Sequence, residues 1–183
     1  MAKRAIKEFG SLSVLLAATP EAQARLPGTT SEMTAFLRTV RATMMHALRT
    51  DIARRPVFSS SEALIAYLNI CLAGASEEQL RVLFLNARNE LLRDELSFSG
   101  TTTAVALHPR PIIKRALELG ATALILVHNH PSGDPTPSAE DIRATATLVA
   151  AATPLEIVVH DHIIIGSNSW TSLRSNGQIR MAA

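Results

Sequence analysis

Four residues at fixed spacing can do chemistry together: His128, His130, Ser138 and Asp141, in the order His-x-His-x7-Ser-x2-Asp. The run before them, Ala123-Leu-Ile-Leu-Val127, has the length and branched composition of a buried strand. Side chains on a strand alternate between faces, so histidines at i and i+2 point the same way. Two imidazoles on one side of a strand end are half of a metal site. Residues 131–137 hold three prolines and one glycine, a stiff turn. Ser138 then N-caps a helix running to about Ala152, and the turn returns the first-turn carboxylate of Asp141 to the histidines. Two nitrogens and one oxygen with a fourth position open is the usual arrangement of a catalytic zinc, one per chain. Ser138-x-x-Asp141 also reads as a capping box, which favours Glu or Gln at its last position but tolerates Asp.

A zinc in that position acidifies its bound water, and amide hydrolysis then needs a base for the proton. Between His128 and Asp141 the remaining carboxylates are Asp134, in the proline-bounded loop, and Glu140, facing solvent on the helix. His160-Asp161-His162 is a second cluster, its two histidines expected on one strand face. No carboxylate at suitable spacing completes it, so it is expected to do structural work or to orient a ligand through a hydrogen bond. His108 and Arg110 sit at a helix start, where they can contact substrate or simply cap and pair. Trp170 is expected in the core, and His46 lies mid-helix without a chemical role.

The elements that must position these groups follow from punctuation. Residues 2–9, 12–18 and a long amphipathic run from Ser31 to about Arg54 read as helices, the last with Met33, Phe36, Leu37, Val40, Met44, Ala47 and Leu48 at helical spacing. Arg54-Arg55-Pro56 marks a boundary between a helical segment, 1–56, and the main domain, 57–183. Ser60 or Ser61 caps a helix to about Leu72, stopped by Gly74. Residues 78–85 and 90–98 form a hairpin, 102–107 an extended piece, and 109–119 a helix opened by proline and stopped by Gly120. Residues 155–165 supply one or two further strands. The fold class is α+β, a mixed sheet flanked by helices.

Composition narrows the function. The chain has 183 residues, 47% of them apolar, and its longest apolar run is far short of a membrane span. A single cysteine, Cys71, excludes an internal disulfide, and it suits a small core position and a reducing cytoplasm. It also argues against a zinc-dependent nucleobase deaminase, which wants at least two cysteines on the metal. Net charge is +2, but residues 1–58 carry +5 and the remainder −3. That basic N-terminal piece allows DNA contact, although scattered arginines on solvated helix faces explain it as well.

The His128/His130/Ser138/Asp141 spacing resembles the JAMM, or MPN+, metalloprotease motif. The words Val127-His-Asn-His-Pro-Ser-Gly-Asp-Pro-Thr-Pro-Ser-Ala-Glu-Asp141 and Asp161-His-Ile-Ile-Ile-Gly166 look like its bacterial RadC branch. Val82-Leu-Phe-Leu-Asn86, Phe98-Ser-Gly-Thr101 and His108-Pro-Arg110 fit too. The resemblance covers about residues 57–177 and implies an MPN/JAB fold akin to cytidine deaminases. It implies a zinc peptidase or isopeptidase acting on a peptide or protein, with zinc held by His128, His130 and Asp141. The family's base is a glutamate on the first hairpin strand. Aligning Arg81-Val-Leu-Phe-Leu85 with that strand puts Glu78 there, and a one-residue slip would exchange it with Glu77. Glu90 and Glu95 are further candidates on the return strand. The family's serine, Ser138 here, steadies the oxyanion as well as capping the helix. Leu26-Pro27-Gly28 looks like part of a helix-hairpin-helix turn, with Thr30 where a second glycine is expected. The competing function is a DNA-associated repair or mobile-element accessory with a non-proteolytic MPN domain. The tripeptide His128-Asn129-His130 spells the HNH nucleases by coincidence, since their residues are spread over a longer motif.

Overall fold

A computed structural model describes residues 2–53, 56–57, 61–72, 75–100, 107–167 and 169–179. Four helices come first: α1 (Ala2–Phe9), α2 (Leu12–Ala17), α3 (Pro20–Ala24) and α4 (Ser31–Ala53). Then follow α5 (Ser61–Leu72), β1 (Glu78–Leu85), β2 (Leu91–Gly100), α6 (Pro109–Leu119) and β3 (Ala123–Asn129). The chain continues with α7 (Ala139–Ala152), a 3-10 turn at Thr153–Leu155, β4 (Val158–Ile165) and β5 (Trp170–Ser172). The sheet order is β2-β1-β3-β4-β5, mixed because only β3 and β4 are parallel. The expected α+β fold with a helical N-terminal segment is what the chain forms.

Both sheet faces are covered, which is why β3 reads as an unbroken apolar run and is buried at every residue. Leu83, Leu85, Ile125, Val127, Ile163 and Ile165 face α5 through Leu64, Tyr67, Leu68 and Leu72. The alternate residues Leu80, Val82, Phe84, Leu124 and Leu126 face α6 and α7 through Ile112, Ala116, Leu148 and Ala152. Parity then decides the site. Glu78 belongs with Leu80 and Val82, and His128 with Leu124 and Leu126, so both side chains lie on the α7 face.

The N-terminal helices differ from expectation in two ways. Helix α3 is an extra element, opened by the Thr19 side chain accepting from Ala22 N–H and by Pro20 in its first turn. The predicted apolar stripe of α4 is only partly used: Leu48 packs on the α5 core beside Met45, which lies outside that stripe, and Leu37 on the N-terminal helices, but Phe36 is 66% exposed. Arg41 fixes α4 to α5 by donating to the carbonyls of Ile70 and Cys71 at the end of α5. Such donation satisfies carbonyls that a helix terminus leaves open. Cys71 itself is buried.

Of the one or two strands expected over residues 155–165 there is one, β4, which starts at Val158 after the 3-10 turn at Thr153–Leu155. One prediction about the C-terminal third needs correction. Trp170 is 46% exposed, since it lies on the three-residue edge strand β5 and not in the core. The expected positions of Arg54, Arg55, Ser60, Gly74 and residues 102–106 fall outside the described residues. Among those described, no helix is long and apolar enough to cross a membrane.

Candidate metal centre

The end of β3 and the start of α7 meet as the sequence predicts. Ser138 Oγ accepts from Asp141 N–H at 3.1 Å, and Asp141 Oδ2 accepts from Ser138 N–H at 2.7 Å and from its hydroxyl at 2.6 Å. This capping box fixes the aspartate's rotamer and turns Oδ1 towards His128 Nε2, 3.4 Å away. His130 Nε2 is 3.6 Å from Asp141 Oδ2 and 2.9 Å from His128 Nε2. Glu78 closes the group, with Oε1 3.7 Å from His128 Nε2. Ligand atoms of Glu78, His128, His130 and Asp141 all lie within 4.8 Å of one another. Nitrogen lone pairs and carboxylate oxygens converging on one point suit a divalent cation, and this donor set fits one.

Each side chain is held from behind. His130 Nδ1 donates to the Asp134 carbonyl at 2.8 Å, which leaves Nε2 for the cluster. Asn129, pointing to the other face, continues the β1–β3 ladder with its side chain. Its Oδ1 accepts from Gln79 N–H at 2.9 Å and its Nδ2 donates to the Glu77 carbonyl at 3.0 Å, so the backbone is gripped on both sides of Glu78. The other candidate carboxylates are engaged elsewhere. Glu77 accepts from Ser99, Glu90 from Asn86, Glu95 from Arg115 and Glu140 from Arg143. Asp134 caps its own turn through Thr136. His108 is at the N-cap position of α6 without a side-chain cap bond.

Burial and charge set the protonation pattern. Burial drives the His128 pKa down to about 4, so this ring is neutral near neutrality. The facing Asp141 carboxylate raises the His130 pKa above the ordinary 6.5. Burial opposes the charge of Asp141, but His130, His128 and Ser138 outweigh it and hold its pKa well below the usual carboxylate range. Glu78 is pushed up by burial first and by the Asp141 charge as well.

The two Nε2 atoms at 2.9 Å need one hydrogen between them, and it belongs to His130. A cation must displace that proton. Zinc affinity is therefore expected to rise with pH and to level off above the raised His130 pKa. Chelator competition between about pH 6 and 8 checks this, and a flat profile contradicts it.

The second cluster keeps its expected hydrogen bond to one of the histidines of the site, but its own two histidines do not share a face. Leu124 pairs with Val159 and Ile125 with Asp161, so His160 sits in a β-bulge and the alternation breaks there. His160 accordingly meets Asn89 Oδ1, whereas His162 meets His128 Nδ1 at 2.7 Å. Asp161 locks the bulge by accepting from its neighbour's N–H, from Ser172 Oγ and from Arg174 N–H.

The loop carrying Asp134 rests on two glycines. A Cβ on Gly166 would stand 2.3 Å from the Gly133 carbonyl oxygen and 3.0 Å from Pro135 Cδ. Gly166→Ala must therefore move the loop backbone that orients His130. Zinc affinity is expected to fall about tenfold, within the range for outer partners of a ligand. Gly120→Ala is the control: φ is +63° but nothing lies within 4 Å, so stability falls and zinc affinity does not. Equal affinities for the two variants by chelator competition contradict the loop's role.

An α+β fold whose strand end and helix start bring together two histidines and two carboxylates defines a class of domain able to hold a metal ion. The chain belongs to the RadC-like JAB domain family, whose model matches residues 58–178. A protein of Rhodobacter capsulatus named "UPF0758 protein" is 44% identical over 177 residues, 97% of this chain and 83% of that protein.

Proposed function

We propose that the chain is a zinc-dependent metallohydrolase of the RadC/JAMM type, a peptidase or isopeptidase acting on a protein or peptide in the cytoplasm. The observation that carries the reading is the placement of the Glu78 carboxylate against the His128/His130/Asp141 triad, with Oε1 3.7 Å from His128 Nε2. Residues 57–183 are the catalytic unit in this reading, and 1–56 a helical attachment. When bound, the cation acidifies water and polarises the scissile carbonyl. His128, His130 and Asp141 hold it. The Glu78 carboxylate takes the water's proton and returns it to the leaving amine. Ser138 turns its one hydroxyl hydrogen from Asp141 Oδ2 to the oxyanion.

Ser138→Ala separates the serine's two roles. Loss of the cap costs about 1 kcal/mol of stability, whereas loss of an oxyanion donor costs about 10²–10³ in turnover. Turnover is expected to fall much more than zinc occupancy, and equal losses leave only the cap. The direct test loads the protein with zinc and offers peptide and isopeptide libraries. Cleavage abolished by a chelator supports the hydrolase, and one equivalent of bound zinc without cleavage sinks it.

A DNA-associated role remains the second reading. It draws on the basic N-terminal helices and on Gly28, whose φ of +84° shapes the turn between α3 and α4. DNA binding that weakens steeply with salt would support it.

A further inference from the structure

His162 and Thr145 stand behind the cluster, yet short contacts join them to it. Thr145 Oγ1 is 2.5 Å from the Asp141 carbonyl oxygen and 2.6 Å from His162 Nδ1. His162 Nε2 is 2.7 Å from His128 Nδ1. Thr145 and His128 have no exposed surface and His162 only 2%, so water cannot supply alternative partners.

The direction of each hydrogen follows in turn. A carbonyl oxygen only accepts, so the hydrogen between it and Thr145 is the one hydroxyl hydrogen that threonine has. Thr145 Oγ1 then offers His162 a lone pair, and His162 Nδ1 must carry a hydrogen. A buried imidazole tilted against another, ring centroids 4.7 Å apart, is neutral, so its Nε2 is bare and accepts from His128 Nδ1–H. His128 is left with an unprotonated Nε2 facing Asp141 and His130. His130 Nδ1 is likewise committed to a carbonyl, that of Asp134, while its Nε2 carries the hydrogen shared with His128 until a cation displaces it.

We propose that Thr145 and His162 are positioning residues that set the tautomer of His128. Their one-way hydrogen-bond chain, anchored on the Asp141 carbonyl, keeps His128 in the Nδ1–H form with Nε2 open to a cation. This rests on the reading of the cluster as a metal centre. The bulge at His160 and the Asp161 lock serve the chain by bringing His162 to the α7 face. In the reverse direction, Thr145 would donate to His162 and the last hydrogen would sit on His128 Nε2, where it would block ligation.

The test uses the full chain with isotope-labelled histidine, first stripped of metal. Heteronuclear NMR reads which ring nitrogen carries hydrogen, and His128 and His162 are both expected as Nδ1–H. His128 in the Nε2–H form overturns the proposal, and this readout needs no variant. Thr145→Val keeps the shape and removes the hydroxyl. It is expected to shift His128 towards the Nε2–H form and to lower zinc affinity about 10–100-fold by chelator competition, with Thr145→Ser restoring both. A folded valine variant with wild-type affinity and an unchanged tautomer also overturns it. If the wild type takes up no zinc, the metal reading fails, while the metal-free spectrum still decides the chain's direction.

Discussion

Asp141→Asn is expected to leave the chain folded and to lower its zinc affinity by more than the roughly 10–100-fold typical of an outer partner. The geometry explains why the fold survives. Asp141 Oδ2 accepts two hydrogens from Ser138, and an asparagine oxygen in that place accepts both. The amide nitrogen must then occupy the position of Oδ1, 3.4 Å from His128 Nε2. There it donates to the lone pair that a cation needs. One substitution thus removes a charge from the site and closes a second ligand, while the capping box stays in place. Elemental mass spectrometry of wild type and variant, after zinc is supplied and the excess dialysed away, reads the outcome. About one equivalent in the wild type and little in the variant is expected. Full occupancy in the variant would remove Asp141 from the ligand set and with it the proposed hydrolase.

The parts of this site that were legible in the sequence are the local ones. Strand alternation alone put His128 and His130 on one face, and a four-residue spacing alone gave the Ser138/Asp141 box. The β3 run was readable because both sheet faces are covered, so no polar residue interrupts it before His128. What the sequence left open depends on register and on pairing over long separations. Glu77 and Glu78 exchange under a one-residue slip, and only the pairing of Leu80 with His128 tells which of them faces α7. The bulge at His160 reverses parity without a glycine to announce it, so the two histidines of that cluster part company. Thr145, His162, Asn129 and the Gly133–Gly166 contact act across 17 to 52 residues of chain or across the sheet's end, where spacing rules have no reach. The Thr19-Pro20 start of α3 was the one missed signal that was local, since a capping threonine followed by proline marks a helix start.

Glu78→Gln is expected to retain zinc and to lower hydrolysis by about 10²–10⁴-fold, the usual contribution of a general base. Glutamine matches the shape of the carboxylate and keeps a hydrogen-bonding group at the same place, but it cannot accept and return a proton. The position suits that task. The side chain is largely buried, the Asn129 grip fixes the backbone to either side, and burial raises the carboxyl above its ordinary pKa, which makes it a stronger base. The same geometry contains the rival outcome, because Glu78 Oε1 is 3.7 Å from His128 Nε2 and a carboxylate there can also ligate. If zinc content falls together with the rate, Glu78 is a fourth ligand and the centre has the closed character of a structural site. If zinc stays and the rate falls, the fourth position is open and Glu78 works on whatever occupies it. Glu77→Gln supplies the register control. Its carboxylate accepts from Ser99 Oγ at 3.2 Å, away from the cluster, so both zinc and rate are expected to remain at the wild-type level.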